Sequence, residues 1–548
     1  MPPATIPSRL FPSHAVFGPK RIRSGWAVPL CFLLLSACLG PGALPTARTS
    51  PDCGSLLAEM DDAVVSQGAT DTSVFRIRGY PYLRTTRFLA SLRDRLTTTE
   101  ERSAWIDRLH RLDLEARRKE MAVLDGKAFH QFAVESGLPG RRSEATHRVM
   151  ACSDDAFRRA AEDPELAVRV SAAIDIPSEY SLWRRTVGLY PLLSMPVTAV
   201  SNRVFNEIRH RHRQPLESLP LSGLRLSYMP EPAPVRSISH LFHPGNRDPL
   251  GIPIISPTDA RRLAALFAPT MVQDTAADYD RIGTVTWRAD GLVIDGNAPA
   301  GYYFIGFGLL ESTPHVQITY CFWYAARSGP NAPWFEHGHL DGITVRVSLD
   351  THGEPFMVDL MNSCGCYHFF IPSAHRVGAI HHPEWGPGTL VPSWLPEGFP
   401  ENPLSLYVSS GQHQVNHITT AAPHSENGVT YDLRPYEELE ALPYGDDEHR
   451  SMFDADGIAH GSGRIEPLLF FSMGIPAVGS MRQRGHHPIK LVGRAHFDDP
   501  DLFNQWFDFT PASSTEPSIG PQSPAHTLTH PPSGHPYSAN QHHEMRDP

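Results

Sequence analysis

Hydrophobic residues in the first part of the chain recur every three or four positions, which is the period of an α-helix. The clearest stripe, with arginine and glutamate on the other faces, is Trp105, Leu109, Leu112 and Ala116. Thr98 and Glu101 precede it with the spacing of a capping box. Pro191 and Pro196 are expected to interrupt a later helix. The pattern predicts a helical bundle over residues 53–213.

The period changes to two after position 281, where apolar and polar residues alternate as in half-buried strands. Strands are predicted at 284–287, 302–307, 316–324, 343–349, 356–360, 404–408, 415–419 and 468–471. The turn at 350–354 makes 343–360 the strongest predicted hairpin. Helices are expected after Ser256 and after Asp499. Residues 256–509 are therefore predicted to form a larger, mostly antiparallel β-rich domain, and the fold class is α+β.

Two segments follow neither period. Residues 214–255 are rich in proline and are interpreted as a linker or a loop over the surface. Residues 510–548 consist largely of proline, serine and histidine, with few apolar positions. That composition predicts a disordered tail, because it offers too little apolar surface to bury.

The N-terminus carries a targeting signal. An apolar run at 26–35 follows basic residues and ends in Leu35-Ser36-Ala37-Cys38, which resembles the lipobox of bacterial lipoproteins. The resemblance implies a signal peptide over 1–37, acylation of Cys38 and a tether over 38–52. It also implies a lipid anchor in the outer membrane of a Gram-negative-type envelope, since Leu39 stands where the inner-membrane retention signal has aspartate. The alternative is an ordinary secretory signal.

Charge and cysteine content narrow the possible functions. The 548-residue chain has a net charge of −11, which argues against broad nucleic-acid binding because that requires a basic surface. An exported protein lies in an oxidising compartment, where paired cysteines default to disulfides. Cys53 and Cys152 are the candidate pair in the helical region. Cys321, Cys364 and Cys366 are left in the β-rich region.

The segment Cys364-Gly365-Cys366-Tyr367-His368 concentrates potential metal ligands. If the strand before it continues, Cys364, Cys366 and His368 lie on one face, and a bulge at Gly365 would bring them together. Thiolate and imidazole ligands favour zinc or copper. His337 or His339 is the candidate fourth ligand. The alternatives are a disulfide, for instance with Cys321, or buried, unreactive thiols.

The segment His337-Gly338-His339-Leu340-Asp341 resembles the His-x-His-x-Asp-His signature of the metallo-β-lactamase superfamily. That resemblance implies a zinc-dependent hydrolase. The chain departs from the signature at Gly342, where the family has a second-metal ligand, and a strand pattern follows where the family has a helix. The alternative is a turn before a hairpin. Two further histidine pairs that could complete a site are His413 with His417 and His486 with His487.

Three functional hypotheses follow from these residues. The first is an envelope lipoprotein that binds a transition metal through Cys364, Cys366 and His368. The second is a metal-dependent hydrolase with an open site at His337, His339 and Asp341. The third is a disulfide-stabilised structural or ligand-binding lipoprotein without catalysis. No nucleophile elbow, phosphate-binding loop or His-Glu-x-x-His motif is present in the sequence.

Overall fold

The helices lie mainly in the first part of the chain, as their apolar stripes predict. The computed structural model describes residues 52–231, 237–422 and 428–510. The helices of these residues are α1 (Cys53–Ser66), α2 (Arg87–Leu92), α3 (Thr99–Val123), α4 (Gly126–Glu135), α5 (Arg142–Ala161), α6 (Leu166–Ala173), α7 (Leu182–Val187), α8 (Tyr190–Arg213), α9 (Pro257–Phe267) and α10 (Glu466–Leu469). Cys38, the signal peptide, the tether before position 52 and the tail after position 510 lie outside the described residues.

The strands lie mainly after α8. They are β1 (Phe75–Ile77), β2 (Tyr80–Thr85), β3 (Leu224–Pro230), β4 (Thr270–Thr275), β5 (Thr284–Arg288), β6 (Gly291–Asp295), β7 (Ala300–Leu310), β8 (Thr313–Arg327), β9 (Gly338–Leu349), β10 (Pro355–Asn362), β11 (Phe369–Pro372), β12 (Val377–Ile380), β13 (Ser405–Val408), β14 (Val415–Thr419), β15 (Gly428–Pro435), β16 (Leu442–Tyr444), β17 (Glu448–Arg450) and β18 (Phe507–Phe509). A helical region therefore precedes a β-rich region, and the predicted α+β class is confirmed.

A capping box begins helix α3, and buried apolar residues and a disulfide stabilise the helical region. The Thr98 hydroxyl accepts from the Glu101 N–H and the Glu101 carboxylate accepts from the Thr98 N–H, which is the predicted capping box of α3. Trp105 and Leu109 of α3 are fully buried. A disulfide joins Cys53 of α1 to Cys152 of α5, the pair suggested by the sequence. The bond ties the first helix of the described chain to the middle of the bundle.

Ten strands form one curved, mixed sheet in the order β11-β10-β9-β8-β7-β15-β3-β4-β13-β14. The half from β11 to β7 is antiparallel throughout, whereas β15 pairs in parallel with both β7 and β3. The two longest strands, β8 and β9, pair from Val316 opposite Leu349 to Arg327 opposite Gly338. This antiparallel half carries the predicted hairpin and positions the site described below.

The inner face of this sheet holds the main hydrophobic core. Alternate residues of β8, Ile318, Tyr320 and Phe322, are fully buried there. Helix α9 covers the face through Leu263 and Phe267, and the second half of α8 covers it through Val204, Phe205 and Ile208. The intervening residues of β8 and β9 face the other way, where Arg346 of β9 makes a bidentate ion pair with Asp359 of β10.

Four local predictions are wrong. Residues 214–255 contain β3, a strand inside the ten-stranded sheet. Residues 468–471 belong to α10 and a following turn of 3₁₀ helix rather than to a strand. Turns, not a helix, follow Pro500. Helix α8 continues through Pro191 and Pro196, and the break lies before it at Gly188 and Leu189. Pro191 is tolerated because the first helical turn has no acceptor for its missing N–H.

Candidate functional site

A chain of buried polar side chains crosses one end of the sheet's inner face, and we refer to it as the polar chain. Its members, in order of contact, are Asp280, His413, Asp341, Arg327, Glu336 and Tyr367. They come from five separate segments of the sequence, between positions 280 and 413. Buried charges of this kind are stable only when paired and hydrogen-bonded, which is the arrangement found here.

His413 is the centre of the polar chain. Its Nδ1 lies 2.7 Å from Oδ2 of Asp341, and its Nε2 lies 3.2 Å from Oδ1 of Asp280. The ring stacks on Tyr324 with 3.9 Å between centroids. Burial acts to lower the pKa of His413, but hydrogen bonds to the two carboxylates outweigh it and the pKa is raised. The geometry therefore favours an imidazolium that donates to both carboxylates.

Asp341 is held ionised by its cationic neighbours. Burial acts to raise its pKa, but Arg327 and His413 lower it to about 2. Nε of Arg327 donates to Asp341 at 2.9 Å, and Nη1 of the same guanidinium pairs with Glu336. The polar chain ends where the Tyr367 hydroxyl donates to Oε1 of Glu336 at 2.5 Å. Arg327 and His413 both bind Oδ2 of Asp341, whereas its buried Oδ1 has no hydrogen-bond partner among the described residues.

The end of the polar chain opens into a cavity of about 660 Å³. The cavity lies between α8, the loop joining β10 to β11, and residues 466–491. One wall is apolar and includes Val197, Val200, Val204, Phe335, Phe370, Phe470, Ile475 and Val478. The opposite end is polar and includes Glu336, Cys366, Tyr367 and Glu466. A volume of this size, apolar with a few convergent polar groups, is typical of small-molecule sites.

Glu466 is a carboxyl of this cavity that makes no hydrogen bond to another described residue. Its residue is only 5% exposed. Burial, reinforced by the negative charge of Glu336, raises the pKa of Glu466 to about 7. The carboxyl lies against Gly479, whose φ of 80° is in the left-handed region, and a Cβ at that position would collide with it. A buried carboxyl without a donor leaves room for a donor supplied by a ligand.

The two cysteines lie in the loop between β10 and β11 and not on a continuing strand, because β10 ends at Asn362. Gly365 has a φ of 90°, so the chain turns there. Cys364 and Cys366 are free thiols in the described structure, and the Cys366 N–H lies 3.4 Å from Sγ of Cys364. The hydrogen bond with Cys364, together with burial, raises the pKa of the Cys366 thiol. The Cys366 thiol therefore stays protonated at neutral pH.

Cys321 is also free and lies in the same hydrophobic cluster as Cys364 and Cys366. Its Sγ is 3.7 Å from the Thr344 hydroxyl on the outer face of the sheet, and burial raises its thiol pKa to about 12. The suggested disulfide from Cys321 to Cys364 or Cys366 is wrong for this structure. The alternative interpretation, a buried and unreactive thiol, fits Cys321.

The three candidate histidine ligands have separate partners. Nε2 of His368 lies 2.8 Å from Oδ2 of Asp359, and burial lowers the His368 pKa. Nε2 of His337 lies 3.0 Å from the carbonyl of Ala332. Burial, together with the nearby Arg464, lowers the pKa of His339. Within residues 52–231, 237–422 and 428–510, no group of three or more His, Cys, Asp or Glu is placed to hold a metal ion. The zinc or copper site stays a prediction.

Sequence reasoning missed several residues of the site. Asp280 and Glu466 belong to no recognisable motif, and Tyr367 stands out only as a spacer between candidate ligands. His413 was noted for its spacing to His417, but its partners come from 72 and 133 positions away. Asp341 was predicted only as part of a metal site with His337 and His339, and Glu336 lies directly before that segment without a motif of its own.

Comparisons with known proteins give no match: no family model, curated protein or solved structure resembles this chain significantly. None of the helices among the described residues combines the length and apolar content needed to cross a membrane. The cavity and the polar chain are therefore the basis of the proposal that follows.

Proposed function

We propose that the protein binds a small amphiphile whose apolar body fills the cavity and whose head group donates a hydrogen bond. The observation that supports this most directly is Glu466, a largely buried carboxyl that makes no hydrogen bond to another described residue and lines a mostly apolar cavity. A ligand donor can supply the hydrogen bond that the fold does not provide. This develops the ligand-binding hypothesis drawn from the sequence.

The apolar wall provides the affinity for the body of the ligand. Each methylene transferred from water to such a wall contributes about 0.8 kcal/mol. Val197, Val200 and Val204 present one continuous surface, since positions 197, 200 and 204 fall on the same side of α8. Phe370 and Phe470 close the other side. An alkyl chain or a comparable apolar skeleton matches this lining better than a sugar or a peptide.

The polar end provides the selectivity for the head group. Glu466 and Glu336 both line it, and the two carboxyls can accept from an amine or a hydroxyl. The polar chain holds Glu336 in place, because Arg327 donates to one of its carboxylate oxygens and Tyr367 donates to the other. Two cations also line the cavity, but the Lys490 ammonium lies 3.4 Å over the ring of Trp506 and Arg211 pairs with Glu207. A donor head group is therefore favoured over a carboxylate.

Displacement of a fluorescent apolar dye by alkyl chains of equal length tests this proposal. We expect the amine and the alcohol to displace the dye at lower concentration than the carboxylic acid. Glu466→Gln should remove most of the preference for the amine, and Val204→Trp should weaken dye binding because the larger indole narrows the cavity. Glu438→Gln is the matched control, since Glu438 pairs with Arg434 away from the cavity lining.

The same assay has a pH dependence with a defined sign. Because the pKa of Glu466 is raised to about 7, its carboxyl is neutral below that pH and ionised above it. Binding of the amine should therefore strengthen as the pH rises through 7, and this step should vanish in Glu466→Gln. Dye binding that survives Val204→Trp unchanged, or a preference for the acid, contradicts the proposal.

A further inference from the structure

An exposed apolar surface surrounds one side of the cavity, and we refer to it as the apolar face. It is formed by α7, the first half of α8, and α10. Six side chains that define it are each between 54% and 79% exposed: Leu182, Trp183, Leu192, Met195, Val200 and Leu468. Single exposed hydrophobic residues are common, but a continuous patch marks a protein or membrane contact.

The elements of the apolar face are held together as one surface. The ring of Trp183 packs edge-on against Phe471, with 5.9 Å between centroids. The buried guanidinium of Arg185 donates through Nε to the carbonyl of Met473 at 2.9 Å. Helix α7 is thus fixed to the segment that follows α10. The side chains of the apolar face are therefore exposed on helices that are packed against the rest of the fold.

The apolar face is continuous with the cavity lining. Val200 belongs to both, because it lines the cavity and is 63% exposed. Farther along α8, Val204 lines the cavity and Ile208 reaches the buried core. On the other side, Phe470 follows α10 directly and also lines the cavity. An apolar path therefore runs from the exposed surface into the proposed ligand site.

The charge around this face is opposite to that of the whole chain. The chain has a net charge of −11. Residues 181–213, by contrast, contain a single acidic residue, Glu207, which pairs with Arg211. The arginines of this segment that are not buried are Arg184, Arg203, Arg209, Arg211 and Arg213, whereas Arg185 is buried. Basic residues on the helices that carry an apolar patch are complementary to a bilayer with anionic head groups.

We propose that the apolar face docks onto an anionic lipid bilayer, so that the cavity opens toward the lipid. The direction of ligand entry rests on the proposed function, whereas docking rests on the face itself. A second protein would match the apolar area but would leave the continuity with the cavity unexplained. The predicted acylation of Cys38 would hold the folded chain near such a surface.

Vesicle flotation tests the docking. The full chain carrying Cys38→Ala, which removes the predicted anchor, is incubated with vesicles of phosphatidylcholine alone or mixed with phosphatidylglycerol. We expect preferential flotation with the anionic vesicles. Leu192→Glu combined with Met195→Glu should weaken partition about tenfold or more, because burying even two methylenes contributes about that factor. Val65→Glu is the matched control, since Val65 is 58% exposed on α1.

Three results would overturn the proposal. The first is equal partition of the Cys38→Ala chain with and without Leu192→Glu/Met195→Glu. The second is equal flotation of the Cys38→Ala chain with neutral and anionic vesicles. The third is a dimer of the Cys38→Ala chain in sedimentation that the double substitution dissociates, which would assign the face to a second copy. The lipid comparison on the Cys38→Ala chain does not need the double substitution and stands even if that substitution unfolds the chain.

The failure of docking and the failure of ligand binding are distinguishable. Val204→Trp narrows the cavity but leaves the exposed side chains of the face unchanged. We expect this variant, in the Cys38→Ala background, to bind dye more weakly and to float with anionic vesicles as the Cys38→Ala chain does. If Val204→Trp lost flotation while its unfolding curve stayed unchanged, this would contradict the inference that docking does not depend on the cavity.

Discussion

Replacing His413 by alanine tests the polar chain most directly. The substitution removes hydrogen bonds to Asp341 at 2.7 Å and to Asp280 at 3.2 Å, and it leaves both carboxylates in a site with no exposed surface. Charge-assisted hydrogen bonds contribute about 1.5–3 kcal/mol each. Breaking a buried ion pair costs about 3–5 kcal/mol. We expect His413→Ala to lower the free energy of unfolding by about 3–5 kcal/mol near pH 6.5.

The pH dependence of this loss has a sign that the structure determines. The pKa of His413 is raised by folding, so its contribution is complete below the unfolded value of about 6.5 and declines as the pH rises through the folded value. The difference between wild type and His413→Ala should therefore shrink from pH 6.5 upward. Urea unfolding followed by circular dichroism across this range measures the difference.

His487 provides the matched control. It is also buried, but burial, reinforced by Arg482, lowers its pKa to about 3. Its contribution to stability is therefore complete above about pH 6.5 and declines only as the pH falls below that value. The difference between wild type and His487→Ala should stay constant from pH 6.5 upward. A loss below about 1 kcal/mol for His413→Ala, or a loss independent of pH, would refute the reasoning about the polar chain.

Three further predictions concern the cysteines. Cys53→Ser or Cys152→Ser should lower the free energy of unfolding by about 2–5 kcal/mol, because the bond closes a loop with a sequence separation of 99; an unchanged urea midpoint would show that the bond is not formed. Cys38→Ala should abolish acylation and membrane retention in cells, and persistent acylation would exclude the lipobox. Thiol labelling in denaturant, with metal analysis of the same sample, should find Cys364 and Cys366 reduced; a metal-free protein with both oxidised would end the hypothesis of a thiolate site.

Local sequence patterns were sufficient to predict the elements that are stabilised by contacts between residues close in the chain. The alternation from Ile343 to Leu349 and from Phe356 to Leu360, with a turn between, predicted the hairpin of β9 and β10. The side chain of Ser256 accepts from Asp259 and begins α9, as the sequence indicated. Caps, turns and side-chain periods arise from interactions a few residues apart, so they are visible in sequence alone.

Elements that depend on distant partners were predicted poorly. β3 lies in a proline-rich segment without a clear period, and it is a strand because β4 and β15 pair with it on either side. Residues 468–471 have an apolar composition that suits a strand, but no strand pairs with them and they form part of the apolar face. Strand identity is decided by pairing and burial, which a sequence window does not contain.

The segments 337–341 and 364–368 were singled out for their ionisable residues, and three members of the site, Asp341, Cys366 and Tyr367, come from them. The sequence by itself thus determined which segment carries chemistry, along with the helical and strand-forming regions on either side. Only the tertiary structure decided the partners: Asp341 meets His413 and Arg327, and Glu466 is buried beside Glu336. The physical reason is that charge, burial and hydrogen bonding are properties of groups brought together by the sheet, from positions far apart in the chain.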